Sequence, residues 1–183
     1  VTNAERINHV AEIIAREREN GEKFAVVVSA LGGVTDMLIG MSQKASEGDL
    51  GYKAILESYI TRHFEAIENL ISEKHQEVVK YAVRESHIEL ANILQGIFLI
   101  RELSRRTLDN ILSHGERSSA FIISEVLRDR NIVSHFLDAR KVVRTDSNYG
   151  AARVDTATTY TNIKEHFSGL KGVPVITGFI ASN

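Results

Sequence analysis

Three short stretches of this 183-residue chain carry residue types that could handle a charged ligand. The first is Ser29-Ala30-Leu31-Gly32-Gly33-Val34-Thr35-Asp36, directly after the apolar run Phe24-Ala25-Val26-Val27-Val28. Adjacent glycines let a backbone approach a ligand closely, and successive N–H groups beside a helix start can cradle an anion. Thr35 and Asp36 add a hydroxyl and a carboxylate, although on spacing alone the plainer reading makes one of them a helix N-cap. The Walker pattern G-x-x-x-x-G-K-[ST] is absent. The second stretch is Ser113-His114-Gly115-Glu116-Arg117-Ser118-Ser119-Ala120. Ser113 and Glu116 stand at capping-box spacing, so a capped helix break near 113–115 is the plainer expectation. The third is Thr177-Gly178-Phe179, where the alternative is a chain simply leaving a sheet.

Other chemistries find little support. There are no cysteines, which removes disulfides, thiolate nucleophiles and Cys-based zinc sites. The seven histidines are scattered, without H-E-x-x-H, and no dedicated metal site is expected. Arg101, Arg105 and Arg106 read as the solvated face of one helix rather than an RNA patch. With 22 basic against 24 acidic residues the net charge is −2, which offers no field to nucleic acid or an anionic membrane. The longest helical apolar run, Ile97-Phe98-Leu99-Ile100, is far short of the ~20 residues of a membrane span. The first twenty residues are amphipathic and charge-rich, unlike a signal peptide, so a cytoplasmic setting is expected.

The elements that must position these loops follow from periodicity. Helical spacing runs over 4–18, with Thr2 or Asn3 as N-cap and Asn20-Gly21 as the closing turn. Residues 24–28 suit a strand buried on both faces, and Met37-Leu38-Ile39 opens the next helix. Residues 52–130 read as mostly helix, with breaks near Ser72-Glu73 and Ser113-His114-Gly115, its Ile/Leu/Phe ladder being core or subunit contact. Beyond them come a strand at 132–137, a helix at 156–167 and a strand at 173–177. Strands alternating with helices predict an α/β fold with a largely parallel sheet, whose ligands sit at the carboxyl ends of the strands.

Taken together and in order, the motifs carry a resemblance. SALGGVTD after VVV resembles the second glycine-rich loop of aspartate kinases, and LSHGERSSA resembles the S-H-G-E motif of the same family. FLDARKVVRTD is similar to its D-x-R-x-x-x-x-T-D stretch, and PVITGFIASN to its V-x-x-G-F-I segment. The opening VTNAERI resembles residues that follow the family's K-F-G-G-T-S phosphate loop, and leans faintly toward members fused to homoserine dehydrogenase. Neither K-F-G-G-T-S nor the family's later G-R-G-G-S-D is present.

The resemblance implies the amino-acid-kinase fold, an αβα sandwich with a mainly parallel sheet, here truncated and carrying a long helical insert at about 50–112. On this reading residues 1–183 are the N-terminal, aspartate-binding portion of a catalytic domain. It implies transfer of the ATP γ-phosphoryl group, with Mg2+, to the side-chain carboxylate of L-aspartate, the step that opens lysine, threonine and methionine biosynthesis. Ser29, Ala30 and Thr35 would line the aspartate pocket, Glu116 would take the substrate ammonium, and Phe179 would pack beside the substrate. Gly32 and Gly33 would let their loop approach substrate and phosphate. No catalytic residue is carried over, because the phosphate-binding Lys and the late Asp have no positions to receive them, and the chain alone is not expected to turn over. Self-association into a homo-oligomer is implied as well. The alternatives are a glutamate or acetylglutamate kinase of the same fold, and a non-catalytic amino-acid-binding or oligomerisation module.

Overall fold

The computed structural model describes residues 4–21 and 23–183, so the expected cap at Thr2 or Asn3 lies outside the described residues. Helix α1 (Ala4–Glu19) turns Ile7, Ala11 and Ile14 inward at helical spacing and ends at Gly21, whose φ is 82°. Strand β1 (Val26–Val28) leads into α2 (Val34–Glu47), followed by α3 (Tyr52–Leu70), α4 (Glu73–Ile100) and α5 (Arg105–Asp129). Then come β2 (Ser134–Leu137), a 3-10 turn (Ala139–Lys141), α6 (Thr156–Phe167) and β3 (Val173–Thr177).

The described strands form one parallel sheet in the order β1-β3-β2, the central strand being last in the chain. Pro174 sits inside that central strand although it can donate no hydrogen bond. Its neighbour Val173 donates to Val133 O on the β2 side, so position 174 points toward β1. There β1 has not yet begun, because its register starts at Val26 opposite Val175. The missing N–H therefore breaks no ladder.

Two expectations about strands are corrected. β1 is shorter than 24–28 and is not buried on both faces: Val27 is 65% exposed while Val28 is buried, the two side chains pointing to opposite faces of the sheet. The run at 132–137 becomes strand only from Ser134, after Asn131 takes a left-handed φ of 61° at the end of α5.

The larger correction concerns α5. The break near 113–115 does not exist, and Ser113 caps nothing; α5 runs unbroken from Arg105 to Asp129. The interruption falls earlier, at 101–104, where Arg101 adopts φ 59° and Ser104 caps α5 by accepting from the Thr107 N–H. Arg101 thus closes α4 while Arg105 and Arg106 open α5, so the three do not share one helix face. Helix α5 lies between the sheet and the layer formed by α2, α3 and α4, and is buried nearly all round. Such a helix needs small residues where neighbours come close, and Ser113, Gly115, Ser118, Ser119 and Ala120 supply them.

Candidate functional site at the carboxyl ends of the strands

Because the strands are parallel, Val28, Leu137 and Thr177 end at one edge of the sheet. The Gly178 N–H donates to Val28 O at 2.7 Å, which fixes the exit of β3 beside the exit of β1. Thr177 Oγ1 accepts from the Ala139 N–H at 2.8 Å and ties the exit of β2 to the same edge.

At this edge the segment 29–36 turns sharply into α2. Ser29 is exposed and Ala30 buried. Gly33 caps α2 with φ 79°, a left-handed conformation that suits glycine, and no side chain caps the helix. Neither Thr35 nor Asp36 is the N-cap, as the plainer reading of this loop had it. Both lie exposed in the first turn, where a helix has no acceptors of its own for its N–H groups.

Gly115 explains how α5 reaches this loop. A Cβ there would stand 2.9 Å from the Ala30 Cβ, 3.1 Å from Val34 Cγ1 and 3.2 Å from Leu38 Cδ1. The glycine is thus a packing residue inside a helix rather than a break. It brings the next residue, Glu116, half-buried against the backbone of Ala30. Burial pushes the Glu116 carboxyl upward, opposed in part by the backbone N–H groups of Glu116 itself and of Ala30.

Phe179 follows Gly178 with φ 55° and its side chain fully exposed. A bulky residue held in the left-handed region costs energy, and such strain gathers at functional sites. The structure therefore places Ser29, Ala30, Gly32 and Gly33 on one loop with Thr35 in the helical turn that follows, Glu116 against Ala30, and Phe179 one residue from the β1–β3 junction. Direct contact is seen between Ala30 and the Gly115–Glu116 turn, whereas the Phe179 ring touches no core.

A charged chain beside this turn was given no site role in the sequence reading, although Asp138 and Arg140 are the first Asp and the Arg of its D-x-R-x-x-x-x-T-D stretch. Asp138, buried at the end of β2, accepts from Arg140 Nε at 3.0 Å and from Arg140 Nη2 at 2.6 Å. Burial works to raise its carboxyl, yet the hydrogen bonds and charge of Arg140, with Arg117 behind, hold it below the usual carboxylate range. Arg117, next to Glu116, reaches Asp138 at 3.7 Å on one side and Glu89 of α4 at 3.3 Å on the other. The rule that selected the ends of β1 and β3 would have selected Asp138, had it been applied to β2 as well.

A parallel sheet with a helical layer behind defines an α/β protein, a class whose ligands sit at the carboxyl ends of the strands. The chain belongs to the amino acid kinase family, whose sequence model matches residues 1–183. It is 28% identical to the chloroplastic bifunctional aspartokinase/homoserine dehydrogenase 1 of Zea mays over 98% of this chain and 20% of that protein. It is 26% identical to lysine-sensitive aspartokinase 3 of Escherichia coli over 86% of this chain and 33% of that protein. The crystal structure of E. coli aspartokinase III in complex with lysine and aspartate superposes with a TM-score of 0.85 at 23% identity, covering all of this chain and 39% of that one. The same enzyme with aspartate and ADP gives 0.84. The amino-acid-kinase fold expected from the motifs is thus the fold observed. The chain spans about a fifth to two-fifths of the proteins it matches.

Proposed function

We propose that this chain forms the aspartate-binding part of an aspartate kinase, which transfers the γ-phosphoryl group of ATP to the side-chain carboxylate of L-aspartate to give 4-phospho-L-aspartate. That product would feed lysine, threonine and methionine biosynthesis. The observation that carries the reading is Glu116, a half-buried carboxylate held against the Ala30 backbone at the exit of β1. An ammonium group docking there supplies the charge that burial denies, in a charge-assisted contact. Ser29 and Thr35 offer hydroxyls on the neighbouring loop, Phe179 offers an apolar wall, and Gly32 and Gly33 leave room for the substrate and the incoming phosphoryl group.

The acceptor carboxylate is ionised at neutral pH, so the reaction needs no general base. Positioning and charge neutralisation remain to be supplied. The first-turn N–H groups of α2 fit a partial negative charge. Mg2+ would arrive with the phosphates of ATP. When bound, it shields charge on the transferring group.

Among the described residues no helix is long and apolar enough to cross a membrane, and a cytoplasmic setting is part of this proposal. Self-association, expected in this family, belongs to the same proposal.

The test is hydroxamate trapping of the acyl phosphate with Mg-ATP and L-aspartate, with L-glutamate as competitor, in the longest natural form of the protein. Glu116→Ala is expected to lower kcat/KM by about 30- to 1,000-fold, the range for losing a charged hydrogen-bond partner. Affinity for aspartate rises with pH through the upshifted Glu116 ionisation and levels off above it, because only the carboxylate form pairs with the ammonium. A product formed with glutamate alone would keep the fold and change the substrate. Full activity in Glu116→Ala would sink the assignment.

A further inference from the structure

Three histidines that looked unremarkable along the sequence meet inside the helical layer. His63 of α3 and His114 of α5 are fully buried, and His87 of α4 is 2% exposed. The His63 and His87 rings are 5.5 Å apart, with the Tyr59 ring 4.4 Å from the first and 5.3 Å from the second. His63 Nδ1 bonds the Tyr59 carbonyl at 2.8 Å, and His114 Nδ1 pairs with Ser86 Oγ at 3.0 Å. His63 Nε2, His114 Nε2 and both His87 nitrogens have no protein hydrogen-bond partner. The Tyr59 hydroxyl donates to the His114 carbonyl at 3.3 Å, joining the cluster to the turn that carries Gly115 and Glu116.

We propose that His63, His87 and His114 make an acid-sensitive joint between the α3–α4 layer and α5: neutral, they pack as core, and proton uptake pries the layers apart.

The surrounding charges favour the neutral rings. From α3, Arg62 opposes a charge on His63. From α4, Glu89 stands 4.0 Å from His114 Nε2, but it is already engaged by Arg117 of α5. Arg117 and, from the turn after β2, Arg140 both oppose a charge on His114, while Asp138 is held by those same two guanidinium groups. Among the described residues the charges that act on His87 are those of His63 and His114, and the Tyr59 and Phe64 rings pack beside it. Glu116 and Arg117 act on the Tyr59 phenol, which burial lifts to about 12 and keeps neutral. Burial above all, then these neighbours, lowers His63 to about 4, His87 to about 3 and His114 to about 4.

The sign follows from linkage. Each folded-state value lies below the ~6.5 of an unfolded histidine, so below that pH the unfolded chain binds more protons. Stability is complete above about pH 6.5 and falls from there toward about pH 3, the lowest of the three folded-state values. Between about pH 7.5 and 5.5 each buried ring multiplies the unfolding constant by about ten, so three give about a thousandfold. The joint is independent of which substrate the strand-end site takes.

Urea unfolding of the chain at those two pH values tests it. His87→Leu is expected to shrink the pH effect about tenfold, whereas His166→Leu, at an exposed position, leaves it as it was. An unchanged pH effect in His87→Leu would overturn the proposal. Should that variant not fold, the imidazole proton resonances of the unsubstituted chain decide. Three of the seven must stay neutral at about pH 5.5, and titration of all seven near 6.5 overturns it. Hydrogen exchange locates the opening: amides of α3 and α4 should lose protection on acidification before those of β3. Uniform loss would remove the joint.

Discussion

The strand-end rim and the helical layer behind it are built on opposite principles. In the layer, Tyr59, Ile67, Leu90, Leu94 and Ile111 are fully buried, and apolar packing fixes every helix against its neighbours. On the rim, Ser29, Gly33, Thr35 and Phe179 are exposed, and backbone rather than side-chain packing holds them. Two of these residues sit at positive φ, Gly33 at 79° and Phe179 at 55°. The regions meet at one turn of α5, where His114 faces the layer, Gly115 faces Ala30 and Glu116 faces the rim. The rim thus borrows its precision from the layer, so damage to the layer should reach the site while damage to the rim should leave the fold intact.

The strongest way to break that contrast is Gly115→Val. Its side chain meets Ala30 and Val34 within 3.1 Å, so α5 and α2 must separate. We expect a loss of about 3 kcal/mol in urea unfolding together with loss of aspartate binding. Ser104→Ala probes the exposed start of α5, away from the turn where layer and rim meet. Removing the cap bond to Thr107 should cost about 1 kcal/mol and leave aspartate affinity unchanged, as read by calorimetry. Phe179→Gly probes the rim alone and inverts the sign. Relief of the left-handed backbone should raise stability by about 0.5 kcal/mol, because the exposed ring contributes no burial, while aspartate binding weakens. If Phe179→Gly destabilised the fold, the rim would be part of the core after all.

The sequence was legible where one periodicity governs a segment. Helix α6 and strand β3 fall where period and turn signals put them, and the α3–α4 junction falls at Ser72-Glu73. It misled where polarity and burial part company. Ser113 to Ser119 read as a capped break because serine, histidine and glycine favour helix ends in isolation. Inside a helix buried between two layers the same residues are wanted for their small volume, and that demand comes from tertiary contact. β1 read as a doubly buried strand because an edge strand and a central one can share the same apolar run. For the site, the strand-end rule singled out the loops after β1 and β3, and Glu116 came through the motif resemblance. Asp138 went unselected, and the convergence of His63, His87 and His114 from three helices is invisible to any local pattern.

The order β1-β3-β2 also sets a timetable. The strand that sits between the other two is the last made, so β1 and β2 have no described sheet partner until residues 173–177 emerge. On the ribosome the five longest helices can form from local contacts first, while the pairing of Val26 with Val175 must close a loop of about 150 residues. A chain halted before β3 would expose the apolar face of α5 that β3 covers, and would be a candidate for chaperone capture or aggregation.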